Sequence, residues 1–132
     1  GKRMYKVISE LESLGDSGEA VSRILSRRNS HKRTFSPEQV AKLDKMLNAL
    51  ERAYEVMIEN LKAEKFEDIG LRMATDCEIE LNELRNEIRE EEIRQIESDG
   101  ANYHSSVYYL DTVSEIERMG DFIINVSQAL SR

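Results

Sequence analysis

Apolar residues recurring at alternating steps of three and four run through most of this chain, and that spacing constrains its fold more than any other feature. Met4, Val7, Leu11, Leu14, Gly18, Val21 and Leu25 form one seam, and Val40, Leu43, Leu47, Leu50, Tyr54, Met57 and Leu61 a second. A third takes Ile69, Met73, Cys77, Leu81, Leu84, Ile88 and Ile96, and a fourth Tyr109, Ile116, Met119, Ile123, Val126 and Leu130. Such steps place side chains on one face of an α-helix, which must be buried against another helix. One proline and six glycines in 132 residues are too few turn formers for a sandwich or barrel. The chain therefore reads as all-α, with helices expected near 2–28, 37–64, 67–97 and 103–131. Short connections favour antiparallel neighbours. The expected architecture is a single domain over residues 1–132, an antiparallel up-down-up-down four-helix bundle. A compact chain of 15.3 kDa exposes roughly 7,000 Å² once folded.

Local signals place some boundaries better than others. Ser36, Pro37 and Gln39 spell a capping box with proline in the first turn, and Phe35 and Val40 flank it as a hydrophobic staple. Gly100 reads as a C-terminal cap and Asn102 as the cap of the last helix. The third helix has no glycine or proline before its expected start at Glu67.

Charge narrows the function. The formal net charge is −7, and phosphate neutralisation needs a basic face, so a nucleic-acid binder is not expected. Residues 67–99 hold 12 acidic side chains against 4 basic ones. Glu87, Glu90, Glu91 and Glu92, interleaved with Arg85, Arg89 and Arg94, read as a solvated face with ion pairs four apart, such as Glu90 with Arg94. The basic group Arg27, Arg28, His31, Lys32 and Arg33 complements a helix C-terminus, or alternatively meets anionic lipid headgroups. No run of about 18 apolar residues occurs, so no span is expected. The single Cys77 has no internal disulfide partner, suits a reducing compartment and falls on an apolar seam.

The first and last helices are copies of one another. A shift of 105 residues superimposes Ser9-Glu-Leu-Glu-Ser-Leu-Gly-Asp16 on Ser114-Glu-Ile-Glu-Arg-Met-Gly-Asp121, and Val21, Ser22 and Leu25 on Val126, Ser127 and Leu130. Shared heptads would match Leu with Ile, but not a Gly-Asp pair inside a helix. Glycine costs about 1 kcal/mol against alanine there, so close approach of a neighbouring helix or ligand is expected at both Gly15 and Gly120. An antiparallel bundle would set the two turns at the same level. Each copy also carries Glu-x-x-x-Asp, Glu12 with Asp16 and Glu117 with Asp121. Carboxylates one turn apart can share a hard cation, although Glu64 and Asp68 have the same spacing without the Gly-Asp context. An exposed charged ridge is the simpler alternative.

The stretch Ser114-Glu-Ile-Glu-Arg-Met-Gly-Asp-Phe-Ile-Ile-Asn125 resembles the signature helix of the PhoU family, helical regulators of bacterial phosphate uptake built from two three-helix repeats. On that resemblance the first helix ends repeat one, and the other three make up repeat two. With Gly1 in place of Met, a piece of a longer chain is expected. Ser9-Glu-Leu-Glu-Ser-Leu-Gly-Asp-Ser-Gly-Glu19, followed by the basic loop, is similar to the PhoU-like tail of bacterial sodium/phosphate cotransporters. The resemblance implies a non-catalytic regulatory domain on the cytoplasmic side of the inner membrane. Its partner would be the membrane transport domain of the same polypeptide or a phosphate-signalling protein. It also implies a divalent or multinuclear metal (Fe, Zn, Mn or Mg) at Glu12, Asp16, Glu117 and Asp121. Many family members have His after the Asp, where this chain has Ser17 and Phe122, and Ala20 stands where the second copy has Asn125.

A di-iron bundle needs Glu-x-x-His, and neither His31 nor His104 has Glu three residues earlier. No phosphate loop or nucleophile elbow occurs, so enzyme activity is not expected. A stand-alone PhoU-type regulator differs from the cotransporter tail only in context. A helical interaction module, such as a homodimer formed through the apolar side of the last helix, shares the fold without the phosphate context.

Overall fold

A computed structural model describes the backbone of residues 2–30, 35–63, 70–99 and 103–130, and side chains over 4–19, 35–63, 70–97 and 106–130. Four helices, α1 (Lys2–Ser30), α2 (Pro37–Lys62), α3 (Leu71–Asp99) and α4 (Tyr103–Leu130), form an all-α bundle. No strand occurs among the described residues. The expected caps at Gly100 and Asn102, the basic loop, and the Glu64–Asp68 pair lie outside the described residues or side chains.

Chain direction alternates as the short connections require. Gln39 meets Glu92 and Asn60 meets Gly70, so α2 and α3 are antiparallel. Arg89 meets Ser114 and Glu92 meets Ser106, so α3 and α4 are antiparallel too. Glu10 meets Asn125 across α1 and α4. The packing, however, is not a square of four equal helices. α2, α3 and α4 each touch the other two and enclose a three-helix core, whereas α1 packs chiefly on α4. α4 is therefore central. Of its described side chains only Val107, Asp111 and Arg118 are exposed.

This arrangement shifts the seams. On α2, Leu43, Leu50 and Met57 are buried as expected, but Met46, Ala49, Ala53 and Asn60 join them, while Leu47, Tyr54 and Leu61 stay exposed. The buried arc is turned roughly 70° from the seam at 3.6 residues per turn, and it takes in Met46, two alanines and Asn60. Alanine has little apolar area to announce a core position, yet it lets neighbouring backbones approach. On α1, Val7 is buried and Leu14 is packed against the core, but Met4 and Leu11 are exposed.

The start of α2 is the expected capping box, with Gln39 N–H donating to Ser36 Oγ (3.1 Å) and Ser36 N–H to Gln39 Oε1 (2.9 Å). Phe35 is buried against Tyr108 and Tyr109, at ring separations of 6.4 and 5.4 Å. α3 begins at Leu71, and the expected start at Glu67 lies outside the described residues. Gly70 sets that boundary: its N–H donates to Asn60 Oδ1 (2.7 Å) and its carbonyl accepts from Ala74 N–H (3.2 Å). Asn60 is buried and also donates from Nδ2 to Ser127 Oγ (2.9 Å), tying the α2 end to α3 and α4. Cys77 is half-buried, packed against the core, and burial pushes its thiol pKa up. No helix among the described residues is long and apolar enough to cross a membrane.

Candidate functional site

The two Gly-Asp turns lie side by side on the antiparallel pair α1 and α4. A Cβ built on Gly18 would be 3.8 Å from Met119 Cε, and Glu10 accepts from Asn125 Nδ2 at 3.4 Å. That register brings Gly15-Asp16 level with Gly120-Asp121, as the sequence predicts. Met119 is the α4 counterpart of Leu14, so the two copies meet through corresponding faces.

At the second copy the motif is fully engaged. α3 presents Leu81, Arg85, Ile88, Arg89 and Glu92 on one stripe, at the steps of three and four that keep residues on one helical face. Arg85 forms an ion pair with Glu117, and both side chains are mostly buried. Arg89 Nη2 donates to Ser114 Oγ at 3.0 Å. Two arginines of one helix thus engage two polar residues of α4, with charge assistance that neutral pairs lack. Gly120 lies under Leu81, and a Cβ there would come 2.6 Å from Leu81 Cδ1. Close helix approach is the reason for this glycine. Asp121 is half-buried, and its pKa is raised by burial, with Glu117 and Glu78 adding to the rise and Arg85 opposing it.

At the first copy the same residues face outward. Ser9, Glu12, Gly15 and Asp16 are all exposed, and no atom approaches within 4 Å of the position a Cβ would take on Gly15. The expected close approach is not seen there, because among the described residues no helix stands where α3 stands for α4. The four carboxylates do not converge. Among the described residues no group of three His, Cys, Asp or Glu side chains is placed to hold a metal ion. A cation shared by Glu117 and Asp121 would compete with Arg85, and Glu12 with Asp16 offers two exposed carboxylates one turn apart. As placed, these side chains do not form a single metal centre.

The acidic run of α3 is not a solvated face throughout. Lys42 pairs with Glu91. Glu92 is 4% exposed and accepts from Ser106 Oγ (2.7 Å) and from Gln39 Nε2 (3.2 and 3.3 Å). Beside it the buried Tyr109 hydroxyl has no hydrogen-bond partner among the described residues. Burial raises its pKa strongly, and the Glu92 charge adds to that. A void of about 10 Å³ lies between Tyr109, Glu92, Gln39 and Lys42, a size that suits one water molecule. Charge counting missed this cluster because it treats every glutamate of a run alike. The usable signal was position, since Glu92 lies eleven residues from Leu81 and shares its face.

No protein-family model matches the chain, and neither a curated protein nor a solved structure matches it.

Proposed function

We propose that the chain is a non-catalytic regulatory domain of phosphate uptake, of PhoU-like type, acting as the cytoplasmic tail of a bacterial sodium/phosphate cotransporter. One observation supports this reading above the rest. The two Gly-Asp helices pack against each other antiparallel through corresponding faces, and α4 is the last helix of a three-helix unit. That is the arrangement expected where two three-helix repeats join through their signature helices. The domain acts by binding the membrane transport domain of its own polypeptide, or a phosphate-signalling protein, through helix faces. Deletion of these residues from the full-length protein should change phosphate uptake or its response to phosphate supply. Uptake and regulation both unchanged by the deletion would overturn the reading.

An oxygen-ligated Fe, Zn, Mn or Mg ion belongs to the same proposal, with Glu12 and Asp16 the more accessible pair. Metal content of protein purified without chelator, compared with an Asp16→Ala/Asp121→Ala variant, tests it. Equal, near-zero content in both would remove the metal. A second reading, a helical interaction module without a phosphate role, is favoured by the exposed apolar residues of α1, and normal uptake after deletion is its expected result.

A further inference from the structure

The void beside Glu92 lies where the first turn of α2 meets α3 and the start of α4. All of its described lining residues except Ile88 have polar side chains. Cavities that stay dry in proteins are apolar, whereas a polar one of roughly 10–15 Å³ holds a water molecule. This void measures about 10 Å³. Tyr109 lines it and is 1% exposed, and among the described residues its hydroxyl is the buried side-chain group left without a hydrogen-bond partner. Burial and the Glu92 charge push the Tyr109 pKa up, so the hydroxyl keeps its proton and needs an acceptor. Its ring packs against Phe35 at 5.4 Å, which holds the hydroxyl in place.

We propose that this void is a binding site for one buried water molecule, which accepts from the Tyr109 hydroxyl and donates to the Glu92 carboxylate. The groups around the void decide between water and an ion. Ser106 Oγ donates to Glu92 at 2.7 Å, and Gln39 Nε2 at 3.2 and 3.3 Å. Gln39 turns its nitrogen to the carboxylate because its Oε1 accepts from Ser36 N–H in the capping box. Lys42, paired with Glu91, also lines the void. A metal cation needs a shell of oxygen acceptors, and here it would meet amide and ammonium N–H groups. An anion would sit against Glu91 and Glu92. Water both accepts and donates, and a carboxylate has about four lone-pair positions, which Ser106 and Gln39 do not fill. Glu92 also lies against the first turns of α2 and α4, whose dipoles favour a negative charge there. The bound water therefore links the capping turn of α2 to α3 and α4, and completes the joint that Glu92 centres.

The sign of one substitution tests the proposal. Tyr109→Phe keeps the ring and should lower the Tm by about 4 °C, because a bonded hydroxyl is lost and the water is left one partner short. An unpartnered hydroxyl would give the opposite result, since removing a buried group that makes no hydrogen bond relieves its desolvation cost. A raised or unchanged Tm overturns the proposal. A crystal structure of the chain separates a bridging water from a direct bond. One ordered water about 2.8 Å from both Tyr109 Oη and a Glu92 carboxylate oxygen is expected. An empty void, or Tyr109 Oη in direct contact with Glu92, overturns the proposal. Thermal unfolding in sodium chloride and in choline chloride, at one ionic strength, should give the same Tm. Stabilisation by sodium alone would assign the void to a cation and overturn the choice of water.

Discussion

Gly120 and Gly15 occupy equivalent places in two copies of one helix, at one level of the bundle, and their surroundings are opposite. Gly120 is pressed by Leu81 and flanked by Glu117, which Arg85 neutralises. Gly15 has nothing near it, and its neighbours Glu12 and Asp16 point to solvent. The same residues make the same helix in both places, because helix formation depends on local spacing and propensity. Whether the motif is a buried joint or an open surface depends on which helices arrive beside it. The motif alone therefore specifies a face prepared for a partner, and the complete three-helix unit shows the partner's chemistry: a leucine over the glycine, and an arginine one turn on.

The largest test of this contrast removes equivalent apolar groups. Ile116→Ala should cost about 2–5 kcal/mol in urea unfolding, since it empties a site in the three-helix core. Leu11→Ala, its counterpart, should cost about 1 kcal/mol or less, because its side chain is already exposed to water. Similar losses at both positions would mean that α1 is covered as α4 is.

A smaller effect separates the glycines by sign. At Gly15, alanine should stabilise the chain by about 0.5–1 kcal/mol, the helix-propensity gain with no steric cost. At Gly120 the same gain is outweighed, because Leu81 must shift inside a packed core where overpacking costs about 1–3 kcal/mol. A net loss of about 1 kcal/mol is expected by thermal unfolding. Stabilisation at both sites would remove close approach as the reason for Gly120.

The smallest effect is electrostatic. Asp121 has a folded-state pKa above its unfolded value, from burial first and then from Glu117 and Glu78. The unfolded chain gives up this proton more readily, so the group destabilises the fold increasingly as pH rises through the two values. Asp121→Asn should therefore raise the Tm at neutral pH, and the gain should fade below about pH 4, where aspartate is protonated in both states. An unchanged or lowered Tm at pH 7 would show that the Arg85 charge outweighs burial at this site.

Much of the fold was legible before any coordinates. The seam spacing led to four helices, the Ser36–Gln39 box to the start of α2, and the 105-residue repeat to the equal levels of the two turns. The start of α3 was not legible, because Asn60 sets it from ten residues away by accepting from Gly70. Nor was the exposure of Leu47 and Tyr54, since a seam marks an apolar face without fixing the rotation at which the neighbours cover it. At the candidate site, the repeated carboxylates were found from sequence. The arginines that answer Glu117 and Ser114 were instead assigned to pairs within their own helix.

What the sequence determined by itself was local: where helices form, which face of each is apolar, and that one helix occurs twice. Spacing and capping act over a few residues, so a linear string contains them. Only the tertiary structure decided that α4 is central and α1 peripheral, that Arg85 belongs to Glu117, and that Glu92 is buried while its neighbours are not. Those outcomes depend on which faces meet across tens of residues, and burial is a property of the pair of surfaces rather than of either sequence. Two copies of one motif, one enclosed and one open, show that division within a single chain.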